Sequence, residues 1–293
     1  MKTILVATDF SERSDRALRR ATLLARQSGA ALSLVHVVDD DQPRRIVDSE
    51  RELASELLRE QAATVRSVDG VACDARIILA DPFAGIVRAA QDTAADLLVV
   101  GPHRRQALRD VFVGTTAERT IRSVACPVLM ANAPPVGPYH HVLLAVDLGE
   151  GTGHMVRRFA DLDLAPRAAR SLLHVFNAEE TRLAMGHALD DRGRRGEVAA
   201  AQAEADAALA AFADGLEGAW TRRLVRPQRA SAAETILAAA DEQRAECIVV
   251  ATRRKGLAKA WLGSVVEEVL RHADRDVLAI PPADRAGGVL AAG

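Results

Sequence analysis

Asp9 stands just after the apolar run Ile4-Leu5-Val6-Ala7 and two residues before Ser11, and Asp147 repeats that placement after Val142-Leu143-Leu144-Ala145. A carboxylate at the mouth of a sheet can accept a hydrogen bond from a ribose hydroxyl or a base amino group. It can equally cap or polarise a turn into a helix, where acidic and hydroxyl side chains suit unpaired amides. A second group follows another apolar run. Gly101 leads into Pro102-His103-Arg104-Arg105, and further on Gly114-Thr115-Thr116 opens a segment of helical period. Glycine after a strand admits a ligand to the backbone, and a helix start offers free N–H groups and a positive dipole end to a phosphate. His103 and Arg104 lie in the same loop, where they can meet such an anion or stand in a solvated surface loop. Thr115-Thr116-Ala117-Glu118 and Ser264-Val265-Val266-Glu267 also have the spacing of helix capping boxes, which need no ligand.

Catalytic machinery is harder to name. No GxxxxGK[ST], HExxH, GxSxG or serine-rich phosphate loop occurs, so the obvious routes to hydrolysis or adenylation lack their residues. The expectation is no catalytic residue, no resident metal and at most slow hydrolysis of a bound nucleotide. His36 and His174 sit inside apolar runs at matching places and read as satisfied core imidazoles, and His140-His141 reads as a domain entrance. Cys73, Cys126 and Cys247 are odd in number, widely spaced and without CxxC pairing, which suits ordinary buried thiols. Arg253-Arg254-Lys255 reads as a cationic loop in solvent. A formal net charge of −2 offers no field for nucleic acid or anionic lipid, and no recognition helix or basic stripe is present. The N-terminal apolar run is too short for a signal-peptide core, and no later stretch approaches the roughly 18 apolar residues of a membrane span. A cytoplasmic location with neither nucleic acid nor membrane as partner is therefore expected.

The elements that hold these residues come in two copies. Ser33-Leu34-Val35-His36-Val37 returns as Ser171-Leu172-Leu173-His174-Val175, and Asp147 and His174 each stand 138 positions after Asp9 and His36. Asp96-Leu97-Leu98-Val99-Val100-Gly101 returns as Glu246-Cys247-Ile248-Val249-Val250-Ala251 at a shift of 150, so the second copy carries an insertion, placed around Asp190-Asp191-Arg192-Gly193-Arg194-Arg195-Gly196. A chain of 293 residues, 49% apolar and 27% charged, has room for two cores. The proline-rich Ala133-Pro134-Pro135-Val136-Gly137-Pro138 cannot continue a helix or central strand. Domains are expected at residues 1–133 and 140–282, a linker at 134–139 and a flexible tail at 283–293.

Within the first copy, continuous apolar runs predict strands at residues 4–7, 32–38, 75–79, 97–100 and 128–130, covered on both faces. Segments of helical period separate them, at 14–28, 47–68, 83–94 and 116–123, the second burying Leu53, Leu57 and Leu58. This alternation predicts α/β architecture: two repeated, doubly wound, parallel five-stranded sheets with helices on both faces. Ligands in such sheets bind beyond the carboxyl ends of the strands, where the strand order reverses. The last strands, 128–130 and 277–280, are expected to pair the two halves within one chain, because each would otherwise leave an edge unpaired.

Asp9 after the first strand, Val37 ending the second, and Gly101 with Gly114-Thr115 around the fourth strand and last helix resemble the universal stress protein family, once in each half. Nucleotide-binding members carry the pattern G-x2-G-x9-G-[S/T]. The resemblance implies a Rossmann-like domain of the adenine-nucleotide α-hydrolase type and a regulatory module that binds ATP, with Mg²⁺ able to accompany it. By position, Asp9 and Val37 meet the adenosine, and Gly101, Gly114, Thr115 and Thr116 the ribose and phosphates. Arg104 replaces the second glycine, where it either obstructs the phosphates or reaches them. Asp147, Val175, Gly263 and Ser264 are the matching residues of the second half, whose motif has Ala251 and Arg254 for glycines and a loop one residue shorter. The N-terminal half is thus the expected principal site. The alternative is a stress scaffold without nucleotide, acting through an unidentified protein partner, with a homodimer also open.

Overall fold

The structure, a computed structural model, describes residues 1–102, 116–149, 151–177, 191–216, 218–255 and 259–283. The first half runs β1 (Thr3–Ala7), α1 (Glu12–Ser28), β2 (Ala31–Val38), α2 (Arg44–Ser67), β3 (Cys73–Leu79), α3 (Pro82–Asp92), β4 (Leu97–Val100), α4 (Thr116–Ser123) and β5 (Val128–Met130). The second half repeats it as β6 (His141–Val146), α5 (Thr152–Leu162), β7 (Ala169–Phe176), α6 (Asp191–Asp214), β8 (Arg222–Pro227), α7 (Ala232–Glu242) and β9 (Cys247–Ala251). A short hairpin, β10 (Arg253–Lys255) and β11 (Lys259–Trp261), then precedes α8 (Ser264–His272) and β12 (Asp276–Ile280).

Each half contributes five parallel strands, in the order β3-β2-β1-β4-β5 and β8-β7-β6-β9-β12. The two sets join into one ten-stranded sheet, because β5 and β12 pair antiparallel with Val277 opposite Met130, Leu278 opposite Leu129 and Ala279 opposite Val128. Strand order reverses between β1 and β4, and between β6 and β9, so the ends of those strands open the two mouths where Asp9 and Asp147 stand. α1, α2, α5 and α6 cover one face and α3, α4, α7 and α8 the other, and each of the two main buried clusters contains residues of both halves.

Local chemistry explains the helices. Ser11 caps α1 by accepting from the Ser14 amide, and Gly29 ends it at φ 71°. Asp81 caps α3 ahead of Pro82, and Ser231, at the matching place, caps α7. Even strained positions are duplicated: Phe10 and Leu148 have φ of 59° and 58°, and Ala94 and Arg244 have φ of 44° and 52°. Non-glycine residues rarely adopt that region, so the repeated turns are the same device built twice.

Three expectations need correction. α2 buries Val47, Ala54, Leu58, Ala62 and Val65, whereas Leu53 and Leu57 are 61% and 38% exposed. A leucine one residue before the buried stripe lies about 100° round the helix. Most of the insertion, nine of its twelve residues, falls between Phe176 and Asp191, and the polar residues from Asp191 onward, expected at its centre, belong to α6. Arg253-Arg254-Lys255 is a strand rather than a loop, with Arg253 paired to Trp261 and Lys255 to Lys259. All but one residue of the expected tail, residues 284–293, lies outside the described set.

Asn132 to Tyr139 cross the seam between halves and are pinned there. Asp276, fully buried, forms an ion pair with Arg20 of α1 at 2.9 Å, accepts from the Tyr139 hydroxyl at 2.5 Å and from the Ala133 amide at 3.0 Å. The Arg20 guanidinium also donates to the Gly137 carbonyl and stacks 4.2 Å from the Tyr139 ring centroid. Burial pushes the Asp276 carboxyl up, while Arg20 and the Tyr139 hydroxyl pull it the other way. On the opposite face of the sheet, Arg122 of α4 meets Glu267 of α8 at 2.6 Å.

Candidate functional site

At the first mouth, Asp9 turns back on its own chain. Its Oδ1 accepts from the Ser11 amide at 3.1 Å and from the Ser11 hydroxyl, and Arg13 lies 3.6 Å from Oδ2. Partial burial raises the carboxyl pKa, but the Ser11 and Ser14 hydrogen bonds and the Arg13 charge outweigh it, and Asp9 titrates below the ordinary range. Its side chain is still 63% exposed. His36 steadies this turn: its Nδ1 lies 2.8 Å from the Thr8 carbonyl, and its ring packs 4.5 Å from that of Phe10. His174 meets the Val146 carbonyl at 3.0 Å in the same way, so both histidines support the mouths from inside the strands.

Gly101 is needed by the fold itself. A Cβ there would lie 2.7 Å from the Arg13 carbonyl oxygen and 3.0 Å from the Ser14 nitrogen, because α1 crosses directly over the end of β4. Val37 packs on α3, where a Cβ on Gly85 would fall 2.5 Å from a Val37 methyl. Thr116 opens α4 on the surface, its carbonyl accepting from the Thr120 hydroxyl at 2.7 Å. His103, Arg104, Gly114 and Thr115 lie outside the described residues.

In the second half, the four residues singled out in the sequence converge. Asp147, Val175, Gly263 and Ser264 all line one cavity of about 260 Å³, with Ile236 and Ala251 in its wall. The lining is mainly aliphatic. Asp147 accepts from the Gly149 amide at 3.0 Å and from the Thr152 hydroxyl, which aims the carboxylate across the turn. Ser264 does not serve as the cap that its spacing suggested. It is the first residue of α8, the cap position belongs to Gly263 at φ 85°, and no side chain caps the helix. Glu267 of the supposed box bonds instead to Arg122 across the seam. The first amides of α8 therefore lie at the cavity wall, in the arrangement that favours an anion.

The sequence reading missed the β10–β11 hairpin, which leads from β9 to this helix and whose β11 lies beside α4 of the other half. A glycine in the short connection, Gly256, was the one hairpin signal available. Cys73, Cys126 and Cys247 are buried and unbridged, and burial pushes the Cys73 and Cys126 thiols up to about 11. Among the described residues no helix is long and apolar enough to cross a membrane.

Comparison with known proteins agrees with this geometry. The profile described as "Universal stress protein family" matches twice, over residues 1–132 and 138–281. A universal stress protein of Methanocaldococcus jannaschii is 30% identical over 141 residues, spanning 45% of this chain and 83% of that protein. One from Thermus aquaticus is 32% identical over 136 residues, spanning 45% of this chain and 98% of its own length. The crystal structure of a universal stress protein from Archaeoglobus fulgidus superposes with a TM-score of 0.67 at 18% identity, covering 95% of this chain and 98% of that one. Single relatives thus match about half the chain, the solved fold matches nearly all of it, and the chain belongs to the universal stress protein family as a tandem member.

Proposed function

We propose that the protein is a cytoplasmic regulatory module that binds adenine nucleotide at the carboxyl ends of its strands, with one strong site per chain. The observation that carries the ligand class is the second-half cavity, where Asp147, Val175, Gly263 and Ser264, far apart in sequence, meet around one space beside an uncapped helix start. Its volume falls just below the ~300–1,000 Å³ of common small-molecule sites. An aliphatic wall of that size suits a nucleoside end, with phosphates lying toward α8. The first half retains the spacing from Gly101 to Gly114-Thr115 that the family pattern uses for phosphates. The N-terminal half accordingly takes ATP as the strong site, and the second half binds the same ligand class more weakly.

Mass spectrometry of small molecules released on denaturing the purified protein should detect an adenine nucleotide. Calorimetric titration with ATP should then give a stoichiometry near one. Gly114→Val should remove this strong site, whereas Ala251→Leu, which fills the second cavity, should remove only the weaker heat. No released nucleotide and no heat with ATP would refute the reading. Retention of tight binding by Gly114→Val, with its loss in Ala251→Leu, would reverse the order of the halves.

A further inference from the structure

α8 meets the second-half cavity with its first residues and the first half of the chain with its flank. Gly263, Ser264, Val265 and Val266 all line the cavity, and the helix's own ladder begins one residue later, where the Glu267 amide donates to the Gly263 carbonyl at 3.0 Å. The amides before Glu267 point toward the cavity end of the helix. Glu267 itself carries a carboxylate in the first turn. Helical side chains lean back toward the N-terminus, and the helix dipole attracts an acidic group to that end. A carboxylate left to settle there cancels the positive end of α8 and competes with a phosphate for the same amides.

The Glu267 carboxylate is drawn aside instead. Arg122, in the last turn of α4, donates to Glu267 Oε1 at 2.6 Å across the seam, and both side chains are half-buried. The next carboxylate of α8 is held as well, since Glu268 accepts from the Ser231 hydroxyl at 2.9 Å at the start of α7. Asp147, in the cavity wall, accepts from the Gly149 amide and the Thr152 hydroxyl. Three acidic groups thus lie in or beside the second mouth, each engaged by a donor of the protein. Among these donors Arg122 alone is a cation, and it comes from the other half.

We propose that Arg122 is a positioning residue for nucleotide bound in the second half, holding Glu267 off the start of α8 and leaving those amides to the phosphates. This rests on the reading of the cavity as a nucleotide site. It gives the Arg122–Glu267 pair a role beyond joining the halves: the second-half site is completed by a residue that only the first half supplies.

Calorimetric titration of the full-length Gly114→Val chain, in which the first-half site is blocked, reports the second half. Adding Arg122→Ala should weaken ATP binding roughly tenfold, the size expected of one uncompensated charge near the phosphates. Adenosine, which has no phosphate, should bind equally with and without Arg122. Adding Glu267→Gln to Arg122→Ala should restore ATP affinity to its starting value or above, because the carboxylate that Arg122 restrains is then gone. A pair that only braces the seam gives the opposite order, with the double change at least as damaging as the single one. Circular dichroism melting of each variant separates loss of fold from loss of affinity. The proposal is overturned by ATP affinity indifferent to Arg122→Ala, by equal losses for ATP and adenosine, or by failure of Glu267→Gln to rescue. If the Gly114→Val chain takes neither ATP nor adenosine, the reading of the cavity falls and this role falls with it. If that chain binds ATP and only the Arg122 arm fails, the nucleotide site stands without it.

Discussion

Gly101 shows how one residue can satisfy two arguments with different consequences. Glycine at the end of a strand was read as room for a ligand, and the structure supplies a second reason in the Arg13 and Ser14 backbone that a Cβ would strike. Backbone cannot move aside as a flexible side chain can. Gly101→Ala should therefore destabilise the protein by about 1–3 kcal/mol whether or not ligand is bound, as overpacking generally does. Urea unfolding with and without ATP checks this, and unchanged stability with weakened affinity would return the residue to a purely ligand-facing role. This contact was invisible in the sequence because it depends on where α1 crosses β4. Asp9 was more legible: its placement two residues before Ser11 predicted a polarised turn, and the Ser11 hydrogen bonds supply one. What spacing could not reveal was that Phe10 and Leu148 adopt left-handed backbone in both turns, since neither residue type advertises it.

Strands and helices were readable where a single physical signal dominated. The continuous apolar runs of β4 and β5 could only be strands covered on both faces, and their limits agree with the structure residue for residue. α2 misled because its leucines outrank alanine in hydrophobicity, yet alanine is what fits where the helix lies close over the sheet. The Ser264-x-x-Glu267 spacing misled for another reason. A capping box competes with whatever else its glutamate can reach, and here Arg122 of the other half claims it. The starts of the first strands in each half show a clamp that recurs at one position. Asp96 accepts from the Lys2 and Thr3 amides at 2.5 and 3.0 Å, and Glu246 accepts from the His140 amide and meets the His140 ring at 3.2 Å. Partial burial raises both carboxyls, but these hydrogen bonds and nearby positive charge outweigh it and leave each below its ordinary pKa. A lowered folded pKa stabilises the protein above the unfolded value of about 4 and loses that contribution as pH falls through the folded value. Asp96→Asn should thus lower stability at neutral pH and flatten its decline below about pH 4. Denaturant titrations at several pH values test this, and an unaltered acid limb would contradict it.

At the scale of the molecule, the two halves share a sheet, two buried layers and a buried ion pair, and this makes them a single structural unit. Val128, Leu129 and Met130 of β5 are fully apolar, as are Val277, Leu278 and Ala279 opposite them, so separation would expose two bare edges together with their side chains. The Arg20–Asp276 pair lies on the same seam with side-chain exposures of 5% and 0%. Removing one partner of such a pair leaves an uncompensated charge and costs about 3–5 kcal/mol, whereas replacing both with apolar residues of similar size is close to neutral. Asp276→Ala should therefore destabilise by that amount in urea unfolding, and Arg20→Met with Asp276→Leu should recover most of it. The same seam predicts the behaviour of a divided chain. If the linker is cut between Pro134 and Pro135, Arg20, Asn132 and β5 stay with one piece, and Tyr139, Asp276 and β12 with the other. The contacts that cross the cut then include the strand pairing, the Arg20–Asp276 ion pair, the Arg122–Glu267 ion pair and the Asn132 amide on the Ala273 and Arg275 carbonyls. Separately expressed pieces should associate when mixed, and Arg20→Met in the first piece should weaken that association by stranding Asp276 at the interface. Pieces that remain monomeric and cooperatively folded after mixing would mean that each half stands alone and that the shared sheet adds little to either.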